Sequence, residues 1–210
     1  MSKTITRLFD NYSDATNAVR ELESLGVRHD DLSIVASNAD SSHDHHGVRN
    51  GDDVNDRGDV SRGVSTGAAL GGVGGLLAGL GLLAIPGLGP IVAAGWLAAT
   101  AAGAGIGAAG GAATGSIVGA LKDAGHTDEE AHIYSEGVRR GGTLVSAKVP
   151  DDLVTEAEAV LRRNGSVDAQ TRGQAYRTSG WTSFDETAPA YTSDLVQRER
   201  SLYASERSRI

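Results

Sequence analysis

The chain contains no cysteine, so disulfides, thiolate metal sites and cysteine nucleophiles are excluded, and a reducing compartment fits the composition. Aromatic residues make up only 4% of its 210 residues, which limits any large globular core. The net charge of −8 is thinly spread. No stretch is basic enough to follow a phosphate backbone, so no nucleic-acid partner is expected. Met1 to Asp10 lacks the apolar run of a secretory signal. The most informative absence is charge itself: from Gly63 to Leu121 there is no Asp, Glu, Lys or Arg.

Soluble surfaces are rich in those four residues, so residues 64–121 are expected to be covered, either by lipid or by protein. The run Ile85-Pro86-Gly87-Leu88-Gly89-Pro90 divides the segment. Its prolines and glycines end one helix and permit a tight reversal, which predicts a helical hairpin with arms 64–85 and 91–121. At about 1.5 Å per residue the first arm reaches roughly 33 Å, close to a hydrocarbon core of about 30 Å. Gly67, Gly71, Gly75 and Gly79 recur every fourth residue. Gly103, Gly107, Gly111, Gly115 and Gly119 repeat the period in the second arm, with Gly95 and Ala99 continuing the row upstream. In water each glycine costs a helix about 1 kcal/mol against alanine. Between packed helices the same row lets two backbones approach closely. The expectation is a transmembrane glycine-zipper hairpin that oligomerises in lipid. The alternative is a soluble homo-oligomeric interaction or ligand-sensing module with the hairpin as its buried core.

The charged flanks read as two β-α-β units. Residues 3–9 and 32–36 are strands around a helix capped by Ser13, apolar at Ala15, Ala18, Val19, Leu22 and Leu25, and closed by Gly26. Thr127 and Glu130 form a capping box for a helix that runs to about Arg140 and stops at Gly141-Gly142. Residues 143–149 are a strand, 151–163 a helix, and 166–169 a short fourth strand. Together they predict an α+β fold: a ferredoxin-like split β-α-β domain, with an antiparallel four-stranded sheet and helices on one face. The expected organisation is 1–37 as the first half, 38–63 as a flexible His/Asp-rich linker, 64–121 as the hairpin and 122–170 as the second half. Residues 171–210 then form a mostly disordered aromatic and basic tail. Because both halves must lie on one side of a membrane, the hairpin's two crossings suit an inner-membrane protein with cytoplasmic termini. Without insertion the protein is cytoplasmic.

The run from Glu129 to Val145, with Glu130, Tyr134, Gly137 and Gly141-Gly142 followed at once by a strand, resembles the YflT-type general stress protein family (general stress protein 17M-like domain). The resemblance covers residues 3–170. It implies a bacterial stress-response role without a defined catalytic activity or cofactor.

Other motifs carry less. Gly105-Ile106-Gly107-Ala108-Ala109-Gly110 matches GxGxxG, but no strand is expected before it and its glycines belong to the four-residue row. His43-Asp44-His45-His46 has metal-ligand residue types on a segment without a framework, so no metal is expected. Asp30-Asp31, Glu129-Glu130 and Asp151-Asp152 stand at element starts, and helix-terminus electrostatics accounts for the latter two pairs. His126 and His132 lie on different faces. Gly137, Gly141 and Gly142 suit close helix approach and a left-handed cap, or a ligand-binding turn. Trp96 suits an interfacial anchor or a packed side chain. Tyr176, Trp181, Phe184, Tyr191 and Tyr203 in the tail suit docking, on this domain or on a protein partner.

Overall fold

A computed structural model of the chain describes residues 2–39, 81–106 and 116–207. The fold is α+β. In chain order its elements are β1 (Ser2–Phe9), α1 (Tyr12–Leu25), a 3-10 turn (His29–Asp31), β2 (Leu32–Ser37), β3 (Gly81–Ile85) and β4 (Gly89–Gly95). Next come α2 (Trp96–Ile106), α3 (Ile117–Asp123), α4 (Asp128–Arg139), β5 (Thr143–Pro150) and a second 3-10 turn (Asp151–Leu153). Helices α5 (Val154–Arg163), α6 (Ala169–Thr178) and α7 (Ser193–Arg207) complete the described chain. The strands form one antiparallel sheet in the order β1-β5-β2-β4-β3.

The first β-α-β unit forms as its residue pattern predicts. Helix α1 buries Ala15, Ala18, Val19 and Leu22, and Gly26 ends it at φ 103°, with its N–H donated to Glu23 O. The helix begins at Tyr12, before Ser13, and Asn11 donates to Asp14 at its start. Strand β5 lies between β1 and β2, with Leu144 opposite Leu8 on one side and Val35 on the other. The expected fourth strand is reduced to one bridge: Leu8 and Val167 exchange backbone hydrogen bonds of 3.0 and 2.7 Å.

The predicted helical hairpin requires correction. Residues 81–85 and 89–95 are strands, and the Pro-Gly run is a β-hairpin turn. The residue before a proline is driven toward extended backbone, which suits Ile85, before Pro86, to a strand end. Gly87 and Gly89 take φ 76° and 78°, and Leu88 N–H donates to Ile85 O at 3.1 Å. After the β-hairpin, helix begins at Trp96. Among the described residues no helix is long and apolar enough to cross a membrane, so the transmembrane hairpin has no support there. The part of the first arm before Gly81 lies outside the described residues, as do Gly67, Gly71, Gly75, Gly79, Gly107, Gly111, Gly115 and the His43–His46 cluster.

A second correction concerns layers. Helices cover both faces of the sheet. Ile5, Phe9, Ile34, Val145 and Val149 meet Val19 and Leu22 of α1 and Val160 and Leu161 of α5. Leu8, Val35, Leu144, Ile91 and Ala93 meet Leu97, Ile117, Leu121, Ile133, Tyr134 and Val138 of α2, α3 and α4. Strand β4 is buried on both sides, since Ala94 joins the first cluster and Ala93 the second. That double burial accounts for its lack of charge.

Gly95 is not part of a helical glycine row. It turns the chain from β4 into α2 at φ 89°, against the Leu32 carbonyl, and a Cβ there would stand 2.7 Å from Ser33 Cα. Trp96 is a packed side chain: its Nε1–H donates to Asp31 O at 3.2 Å, and Lys148 Nζ lies 4.2 Å from its ring centroid. Gly119 sits on an exposed position of α3, where a Cβ would meet nothing within 4 Å. Gly95→Ala combines left-handed strain with a backbone clash and should cost about 2 kcal/mol or more, whereas Gly119→Ala should stabilise by up to about 1 kcal/mol. Urea unfolding of both variants measures the contrast.

Candidate functional site

The residues that resemble the stress-protein motif converge on α4 and its C-terminal cap. Thr127 Oγ1 accepts from Glu130 N–H at 3.2 Å, and Glu130 Oε2 accepts from Thr127 N–H at 3.0 Å, so the capping box forms. Burial pulls the Glu130 pKa up, but these hydrogen bonds outweigh it and hold the carboxyl below its usual range. Tyr134 is buried and its hydroxyl donates to Thr6 O at 2.8 Å. Desolvation pushes its pKa up to about 12, so the phenol stays protonated and structural at neutral pH.

The glycines serve close approach. A Cβ on Gly137 would lie 2.6 Å from Leu8 Cδ2, so any larger residue would force the buried Leu8 side chain to move. Gly141 N–H donates to Val138 O at 3.0 Å and Gly142 N–H to Gly137 O at 2.9 Å, a Schellman cap with Gly141 at φ 98°. The bare surface at Gly141 is occupied by Val196 of α7, which is fully buried. Arg200 Nε donates to Gly141 O at 3.0 Å.

Around this cap lies a cluster of paired charges and aromatic rings. Glu136 is 0% exposed and accepts from Arg140 Nε at 2.6 Å and from an Arg139 terminal nitrogen at 3.0 Å. Arg140 reaches Glu199 of α7 at 3.2 Å and lies 4.4 Å from the centroid of Tyr176. Burial opposes the Arg140 charge, yet Glu136 and then Glu199 more than offset it, and its pKa is raised. Arg172 of α6 donates to Asp10 at 2.6 Å and stacks 3.8 Å from the Tyr203 centroid. Arg139 faces Phe184 and Tyr191. Leu8, Gly137, Arg140, Arg172, Tyr176 and Tyr203 help line a crevice of about 10 Å³, room for about one water.

The tail therefore differs from the expected disordered segment. Arginine–tyrosine stacking, the Arg140–Glu199 and Arg172–Asp10 ion pairs and Val196 fix it on its own domain. Between α6 and α7 the chain crosses the β3–β4 turn, where Gly87 lies against Phe184 and Glu186 and Gly89 against Ala190. Ser116, the cap of α3, donates to Glu186. Arg172, Gly173 and Val196 were not legible as site residues. Gly173 has a role like that of Gly137, since a Cβ there would stand 2.6 Å from Ile133 Cδ1. The signal that was present is the spacing of Glu136 to Arg139 and Arg140 at i+3 and i+4, the reach of a helix-surface ion pair.

The remaining titratable groups are dispersed. Asp30 and Asp31 pair with Arg28, and Glu129 with Arg177. His132 Nε2 lies 3.6 Å from Asp128, whereas His126 Nε2 bonds Thr6 Oγ1 at 2.6 Å, so the two histidines share no site. Among the described residues no group of three or more His, Asp or Glu is placed to hold a metal. Comparisons with protein-family models, curated proteins and solved structures returned no match.

Glu136→Ala leaves the largely buried Arg139 without its carboxylate and Arg140 with Glu199 alone, and should destabilise by about 3 kcal/mol in urea unfolding, against under about 0.5 kcal/mol for exposed Asp123→Ala. His126 gives a pH signature. Desolvation lowers its pKa, more than offsetting the attraction of Glu130, while Arg7 lowers it further. The unfolded chain then binds the proton first, so its contribution is intact above the ordinary imidazole value of about 6.5 and declines as pH falls below it toward the depressed folded value. His126→Gln should flatten the stability profile in that window, as read from urea midpoints across pH.

Proposed function

We propose that the chain is a non-catalytic, self-associating protein of the stress-response type, in which the uncharged segment acts by packing against protein. One observation carries this reading: Leu97, Ala101, Ile117 and Leu121, all from the uncharged segment, pack in one cluster with Leu8, Leu144, Tyr134 and Val138 of the charged flanks. The frame of β1, α1, β2, β5 and α5, with Val167 beside β1, is read as a ferredoxin-like split β-α-β arrangement. The β3–β4 hairpin and α2 to α4 are then an insertion that supplies the second layer. The stress-response component rests on the resemblance of Glu130, Tyr134, Gly137, Gly141 and Gly142 to the family motif. Here those residues cap α4, bring it onto β1 and seat α7. The non-catalytic component is supported by how the buried charges are spent: each carboxylate at the α4 cap is matched by an arginine, beside a crevice of about 10 Å³.

Carbonate extraction of membranes from producing cells tests the covering of the segment, and the full-length protein is expected in the supernatant. In the purified, otherwise cysteine-free chain, Leu97→Cys should label with a thiol reagent at least about 10-fold more slowly than exposed Gln197→Cys, and should match it once urea unfolds the domain. Retention in the carbonate pellet, or equal labelling in the folded state, contradicts the proposal.

A further inference from the structure

The two outer strands of the sheet are treated differently. The β1 edge carries Lys3 and Arg7, both near Glu158, and the Val167 backbone bridges Leu8. Charge and cover of this kind keep an edge from pairing with another chain. Among the described residues the β3 edge has neither. Its sequence, Gly81-Leu82-Leu83-Ala84-Ile85, holds no charge and no proline, and it pairs with β4 alone among the described residues. Leu82 is 58% exposed and is one of three exposed large hydrophobic residues in the described chain. Leu83 and Ile85 are only partly buried where they pack against the larger core cluster, so the core is incomplete along this strand.

The register fixes which backbone groups point outward. Ala84 stands opposite Pro90, which has no N–H, so that pair is a non-hydrogen-bonded one. Gly81, Leu83 and Ile85 therefore direct their backbone groups to β4, and Leu82 and Ala84 direct theirs away from it. An antiparallel strand suits this edge if it offers outward groups two residues apart around a central residue that offers none. β3 itself has that pattern.

We propose that the β3 edge pairs antiparallel with the β3 edge of a second copy of this chain, about a two-fold axis at Leu83. Leu82 exchanges backbone hydrogen bonds with Ala84 of the second copy, and Ala84 with its Leu82. The two Leu83 residues meet as a non-hydrogen-bonded pair, on the face where each core is incomplete. The symmetry closes the assembly at two copies, because pairing consumes the edge that created it. The uncharged stretch around β3 removes the repulsion that a net charge of −8 would otherwise bring to the contact. This inference rests on the self-associating reading and gives it a surface.

The test uses the full chain. Sedimentation equilibrium of the wild type is expected to show a monomer–dimer equilibrium. Leu82→Lys and Ala84→Pro, which add an edge charge or remove an outward N–H, should each weaken the dimer by about 10-fold or more while leaving the urea midpoint, read at a dilution where the wild type is monomeric, within error. In a non-hydrogen-bonded pair the Cα atoms lie about 4.5 Å apart, within disulfide reach. Leu83→Cys should thus form a disulfide dimer under mild oxidation, and exposed Leu202→Cys should not. A dimer that neither edge variant weakens and that Leu83→Cys does not cross-link overturns the edge pairing but leaves self-association standing. A wild type that stays monomeric, with Leu83→Cys shielded from thiol reagents, means that the chain's own residues cover the edge, and overturns both.

Discussion

Without β5 between β1 and β2, neither helical layer would have a surface to pack on. Its residues alternate between the two clusters: Val145, Ala147 and Val149 serve the α1–α5 side and Leu144 the α2–α4 side. The strands it joins are separated from it by more than a hundred residues of chain, so the pairing carries a loop-closure cost that local contacts cannot offset. What offsets it is burial on both faces at once. Tyr134 shows the coupling most directly. Its ring fills the second core, and its hydroxyl is tied to Thr6 of β1, whose own hydroxyl bonds Ser146 of β5 at 2.9 Å and His126 at 2.6 Å. One aromatic residue thereby links α4, both strands and the turn before the capping box.

The parts of the fold legible in the sequence were those with local causes. The face of α1, its glycine stop, the Thr127–Glu130 box and the Gly141-Gly142 cap each follow from residues within a turn or two of one another. The strand character of 81–95 was not legible because its evidence is ambiguous at short range. A short apolar run fits a doubly buried strand as well as a buried helix, and the glycine period of the flanking residues favoured helix. The break itself was correctly located at the Pro-Gly run, but prolines that end a helix also start a β-hairpin. The number of layers depended on that choice, since a β-hairpin adds to the sheet and leaves α2 and α3 to cover its second face.

The candidate site was legible in its members and not in its purpose. Glu130, Tyr134, Gly137, Gly141 and Gly142 stand out in the sequence, and the structure gathers them around one helix and its cap. Their partners come from β1 and from the tail: Leu8, Thr6, Val196 and Arg200. No spacing within α4 could announce partners so distant in the chain. The tail was hard to read for a related reason. Its arginines and aromatics are scattered, and each becomes informative only when stacked, as Arg172 is on Tyr203 and Arg140 on Tyr176. The cap is thus a docking surface for the chain's own C-terminal segment, built from glycines that make room and arginines that hold.

The central claim is that the described part of the uncharged segment, β4 above all, belongs to the folded core. Native-state hydrogen exchange of β4 in detergent-free buffer measures this at the residue level. Val92, Ala93 and Ala94 lie in a strand paired on both sides, so their amides should exchange only through global unfolding, with the same opening free energy as Val145 of β5. Rapid exchange in β4 that slows only when detergent or lipid is added, while β5 stays protected throughout, would contradict the account.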